Sequence, residues 1–119
     1  MPDRVPTATE WHVASVSGKI PTILGMNFDE FIWPEARIEH IAEHGVTTEE
    51  FEEACSEGSL FVRAPSEGEN PVYYVLGQTA AGRYLFCMVI RFPDGNGYPI
   101  SARPMTAKEK RRFRTWKDQ

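Results

Sequence analysis

The chain has 119 residues, 41% hydrophobic and 12% aromatic, enough apolar surface for one modest core and too little for two. No apolar run approaches the roughly 20 residues of a membrane helix, and no basic segment followed by an apolar stretch opens the chain, so a cytoplasmic protein is expected. The net charge of −4 conceals a segregation, with twelve acids and two arginines from Asp29 to Glu69, and seven bases and two acids from Arg103 to Gln119; a nucleic-acid surface is excluded from the first stretch and allowed at the second.

Residues 1–25 carry Pro2, Pro6, Gly18, Pro21 and Gly25 without sustained periodicity, and are expected to form a flexible N-terminal extension to a single domain over 26–119. Phe28–Trp33 alternates enough to suggest a first strand. Pro34 suits the first position of a helix, along which Ala36, Ile38, Ile41 and Ala42 give an apolar stripe before Gly45 stops it. Thr47 and Glu50 form a T-x-x-E capping box, with Val46 and Phe51 spaced as a hydrophobic staple. Phe51, Ala54 and Cys55 make the buried stripe of this second helix, and Gly58 closes it.

From Leu60 the period changes to that of strands. Leu60–Val62 and Val72–Leu76 are expected strands, separated by a polar loop and followed by Gly77. Arg83–Arg91 carries apolar residues on both faces, which predicts a central strand. Asp94-Gly95-Asn96-Gly97 predicts a hairpin turn, and Tyr98–Arg103 returns as a strand whose pairing Pro99 restricts. Thr106 and Glu109 form a second T-x-x-E box opening a basic helix to about Trp116. The expected fold class is α+β, an antiparallel sheet of about four to five strands with two N-terminal helices and one C-terminal helix. Cys55 and Cys87 belong to no ligand cluster and read as reduced core residues. His40 and His44 stand one helical turn apart without an implied acidic third ligand, so no metal and no cofactor is expected.

The motifs of interest are Trp33, Glu43-His44-Gly45-Val46, Leu76-Gly77, Gly82-Arg83-Tyr84-Leu85, Ile100-Ser101-Ala102-Arg103 and Thr106-Ala107-Lys108-Glu109-Lys110. In this order, over about residues 31–117, they resemble the BrnT family of ribonuclease toxins from bacterial toxin–antitoxin pairs. The resemblance implies a RelE-like fold, metal-independent RNA cleavage that inhibits translation, and neutralisation by a small DNA-binding antitoxin, with a homodimer or a hetero-oligomer as the assembly and no membrane partner. Three positions depart from the family's pattern: Glu43 replaces a lysine, Val72 stands near the place of an arginine, and Phe113 replaces a tyrosine. Each removes a cationic or protic group. The alternative reading is a non-catalytic interaction module of the same fold, binding a partner or antitoxin and contributing to operon regulation.

Metal-free RNA cleavage must deprotonate a 2′-hydroxyl, stabilise the added charge on the phosphate, and protonate the leaving oxygen. Arginine suits the second task because its planar fork matches phosphate oxygens. Arg83 and Arg91 bracket a strand about 27 Å long and cannot grip one phosphate together. His44, Arg83 and Arg103 are therefore the expected catalytic cluster, an assignment that rests mainly on the resemblance. Arg91, Lys108, Lys110, Arg111, Arg112 and Arg114 are the expected RNA-binding set. Structural roles compete for each: a helix glutamate or carbonyl for the arginines, the helix dipole for His44, a cap for Glu109, and packing for Phe113, Trp116 and Trp33.

Overall fold

The computed structural model describes residues 28–56, 58–66 and 68–118, so the expected extension over 1–25 lies outside the described residues. Helix α1 (Glu35–Glu43) begins after Pro34, which stands at the N-cap with φ −64° and ψ 145°. The sequence suggests this proline as the first helical residue; its extended ψ puts it one place outside, where its carbonyl accepts from the Arg37 and Ile38 amides. The helix ends in a Schellman motif: Gly45, at φ +74°, donates to the Ala42 carbonyl, and Val46 donates to the Ile41 carbonyl. The left-handed φ is why glycine stands there. Helix α2 (Thr48–Ala54) opens with the expected box, in which Thr47 Oγ1 accepts from the Glu50 amide at 3.1 Å and Glu50 Oε1 from the Thr47 amide at 3.0 Å. Phe51, Ala54 and Cys55 are buried as their spacing predicts.

Strands β1 (Leu60–Arg63), β2 (Val72–Gln78), β3 (Tyr84–Arg91) and β4 (Gly97–Pro104) form an antiparallel meander in the order β1-β2-β3-β4, and helix α3 (Ala107–Lys117) follows. The fold is thus α+β, with two helices before a four-stranded antiparallel sheet and one after it. Side chains alternate along a strand, so β3 feeds two cores. Leu85, Cys87 and Val89 pack with Ile41, Phe51 and Cys55 under α1 and α2, while Phe86 and Met88 pack with Phe113 of α3. The sheet is the middle of three layers. Among the described residues no helix is long and apolar enough to cross a membrane.

Residues Phe28–Trp33 do not form the expected strand. Only Phe31 bridges to Gly97, and it does so in parallel. The physical reason is the spacing of the aromatic residues. Phe31 and Trp33 both stack edge-on to Phe51, at 5.7 and 5.1 Å between centroids, and Phe28 meets Phe61 at 5.8 Å. The segment is a strap held by its rings along the β4 edge.

A second departure concerns α1. Of its expected stripe only Ile41 is buried. The strand beneath explains this. Next to Pro99, which has no N–H to give, β4 bulges: Met88 pairs with Ser101 and Val89 with Pro99, leaving Ile100 as the extra residue. Arg37 Nη1 donates to the Ile100 carbonyl at 3.4 Å, and His40 Nε2 lies 2.9 Å from the buried Ser101 hydroxyl. The helix turns polar side chains inward because the bulge presents polar groups to meet.

Gly77 lies where β2 passes the end of α2, and a Cβ there would collide with the backbone carbonyl of Ala54. Backbone cannot swing aside as a side chain can. Gly77→Ala is therefore expected to cost about 2–3 kcal/mol, read as a lower urea midpoint at unchanged m-value. An unshifted midpoint would show that α2 is not docked this closely.

Candidate nucleic-acid interface

The charge segregation along the sequence becomes a segregation between the two sides of the sheet. The acids Glu35, Glu39, Glu43, Glu49, Glu50, Glu52 and Glu53 ride on α1 and α2. Lys108, Lys110, Arg111, Arg112, Arg114 and Lys117 ride on α3, on the opposite face. The one acid inside α3, Glu109, is buried. Lys108, Arg111 and Arg114 are exposed, while Lys110 and Arg112 are half-buried. Burial lowers the proton affinity of Arg112, although a guanidinium stays charged at any physiological pH. The face as a whole presents positive potential to solvent.

Helix α3 crosses one end of the sheet. It starts just after β4, whose Pro104 pairs with Leu85, and at its far end Lys117 Nζ donates to the Gly58 carbonyl, two residues before β1. Lys110 Nζ lies 5.0 Å from the Tyr84 ring centroid, and Tyr84 stacks edge-on to Phe113. Tyr84 directly follows Arg83, whose guanidinium lies on the other side of the sheet, against Glu50 of α2. Arg91 closes β3 at the other end, as its place in the sequence requires, and lies apart from this group.

Arg83 leaves the sheet on the α1/α2 side. Its Nη1 donates to the Gly45 carbonyl at 2.6 Å and to both Glu50 oxygens at 3.0 and 3.1 Å. One nitrogen thereby ties the end of α1, the start of α2 and the start of β3. His44, exposed at the C-cap of α1, immediately precedes the glycine that Arg83 holds. His40 and His44 face each other edge-on with centroids 5.4 Å apart. Among the described residues no three His, Cys, Asp or Glu side chains are grouped to hold a metal ion.

Arg103 leaves the sheet on the other face. Its guanidinium forms a fork with Glu109, Nη1 to Oε1 at 2.7 Å and Nη2 to Oε2 at 2.9 Å, over the Phe86 ring at 4.5 Å. The expected meeting of His44, Arg83 and Arg103 in one pocket is therefore corrected: the fold brings Arg83 to the Gly45 carbonyl, next in sequence to His44, and sets Arg103 apart. The reason is parity. Leu85 pairs with Pro104, so these two share a face. Arg83 lies two residues from the first and Arg103 one residue from the second, which places them on opposite faces.

Other expected roles fall on the structural side. Glu109 is a cap, accepting from the Thr106 amide at 2.9 Å while Thr106 Oγ1 accepts from the Glu109 amide. Phe113 is buried, Trp116 packs beside it, and Trp33 sits at the core's rim with its indole N–H on Glu52 at 2.8 Å. Lys110 over Tyr84 was not foreseeable, because nothing in local spacing relates a residue of α3 to one of β3.

No family model matches the chain, and no curated protein matches it. The resemblance to BrnT-type toxins thus stands on the motifs, and their geometry tells what they do here. Gly45-Val46 builds the Schellman turn, Gly77 admits α2, Arg83 ties three elements, and Arg103 meets Glu109. Each of these residues serves the scaffold.

Arg103→Ala is expected to destabilise the fold by about 3–5 kcal/mol, since it strands a carboxylate with no exposure. Lys108→Ala, on the exposed surface, should shift stability by under about 0.5 kcal/mol. Equal effects in chemical denaturation would refute the structural role of Arg103. For Glu50, the Thr47 amide, opposed by desolvation and aided by Arg83, holds the carboxyl below its ordinary value of 4.5. Its contribution to stability is present above that value and is lost as pH falls through the lowered pKa. An acid titration followed by circular dichroism should accordingly show Glu50→Gln losing less stability below about pH 4.5 than the wild type.

Proposed function

We propose that the chain is the toxin of a BrnT-type toxin–antitoxin pair, a metal-independent endoribonuclease on a RelE-like scaffold that acts on RNA in the cytoplasm. The observation that carries this reading is the row of exposed cations along α3, with a partly exposed Arg83 on the other side of the sheet, bonded to the residue that follows the exposed His44. RNA lies along α3 by phosphate contacts with Lys108, Arg111 and Arg114. A phosphate reaching the sheet end meets Arg83, whose Nη2 and Nε make no hydrogen bond among the described residues. Arg83 stabilises the charge that develops as the 2′-oxygen attacks, and His44 carries a proton to or from the reacting oxygens. Arg103 supports the site from the opposite face through α3. A small DNA-binding antitoxin is the partner in this reading, covering the cationic face when the toxin is silent.

The second reading, a non-catalytic interaction module, is favoured by one observation: both expected catalytic arginines carry carboxylates. The two readings separate in one experiment. Under the first, expression without a partner slows growth and cleaves bulk RNA, and purified protein cleaves RNA in the presence of a chelator. Arg83→Ala and His44→Ala should lower the cleavage rate by on the order of 10²-fold while leaving the chain folded. Intact RNA and unharmed cells, with RNA or partner binding retained, would establish the module instead.

A further inference from the structure

The chain uses one device twice. A threonine and a glutamate cap a helix, and the same glutamate receives an arginine from the sheet. Thr47, Glu50 and Arg83 do this on one face; Thr106, Glu109 and Arg103 do it on the other. The copies differ in how closed they are. The Arg103 and Glu109 side chains are 17% and 0% exposed and join through two nitrogens on two oxygens. The Arg83 and Glu50 side chains are 36% and 27% exposed and join through Nη1 alone. One copy is sealed, while the other is open to exchange with a solute anion.

We infer that Glu50 is an internal competitor for phosphate at Arg83: a carboxylate that holds the guanidinium in place without RNA and weakens its grip on an RNA phosphate. This rests on the RNA reading above. Carboxylate and phosphate are the two anions that match an arginine fork. A half-exposed ion pair is weakly held, so an incoming phosphate can displace it. When it does, Glu50 keeps its place through the Thr47 amide, so the helix cap survives the exchange. His44 and Glu43 at the end of α1, together with Glu49 and Glu53 on α2, set the remaining charge near this site. Glu50 is thus a positioning residue that tunes the affinity of Arg83 for phosphate.

The capping box makes the test clean, because glutamine serves at its third helical position as glutamate does. Binding of a labelled single-stranded oligoribonucleotide is measured for the wild type, Glu50→Gln, Arg83→Gln and the double variant, with thermal melting as the check on folding. Glu50→Gln should bind about fivefold tighter. Its salt dependence should steepen by up to about 0.7 in log–log slope, one further phosphate contact. The gain should vanish in the Arg83→Gln background. A gain that persists there is a general charge effect and overturns the inference. Unchanged affinity in Glu50→Gln, when Arg83→Gln weakens the wild type, overturns it and leaves the RNA reading intact. If no folded variant binds RNA, the RNA reading falls and the inference with it. Should Glu50→Gln melt early, wild-type protein titrated with inorganic phosphate gives the answer by NMR. The side-chain signals of Arg83 and Glu50 should move together, and movement of Arg83 alone would end the proposal.

Discussion

A carboxylate with no exposure to water stands at the start of α3, and the arrangement around it fixes how the C-terminal half of the chain is put together. Glu109 is stable there because Arg103 meets both its oxygens and the Thr106 amide meets one of them. Desolvating a charge is costly enough that such a pair tolerates only one geometry. Arg103 belongs to β4 and Glu109 to α3, so that geometry sets where the helix enters over the sheet. Phe113, one turn further on, then falls into the core beside Phe86. The cations of α3 are left on the outside, and the positive face follows from the buried negative charge that anchors the helix.

The same logic separates what was legible in the sequence from what was not. Both capping boxes, the Phe51–Ala54–Cys55 stripe of α2 and the two-faced strand β3 are local patterns, and they appear as read. The layout of two helices, four strands and one helix came from counting such patterns. Where local reading failed, a distant partner had overruled it. Phe28–Trp33 alternates like a strand, but its rings find Phe51 and Phe61 and the backbone follows them. Ile38 belongs to an apolar stripe by spacing, yet α1 faces a bulge whose carbonyl and hydroxyl call for Arg37 and His40 instead. Bulges depend on pairing between strands, which no single segment encodes.

For the candidate site, the expectation that Arg83 and His44 lie near each other came from the resemblance; Arg83 reaches the carbonyl of Gly45, the residue after His44. That Arg103 stands apart required the register of β3 against β4. A shift of one residue in that register would reverse the parity and bring the two guanidinium groups to the same side. The decisive information was therefore in the bulge beside Pro99 and in the hairpin before it, far from any residue with candidate chemistry.

The doubled device also bears on what Arg83 and Arg103 do in this scaffold. Arg83 closes the turn between α1 and α2 as well as facing solvent, so the fold loses a tie if it is replaced, whatever its chemistry. Glu43, Val72 and Phe113 take part in no comparable tie among the described residues: Glu43 is exposed, and Val72 and Phe113 fill core. The presence of an arginine at such a tie is accordingly no measure of its catalytic use. Exposure is the better discriminator, because a guanidinium must offer donors to solvent before it can offer them to a phosphate. On that measure Arg83, 36% exposed beside a carboxylate 27% exposed, is better placed than Arg103 to serve both scaffold and ligand.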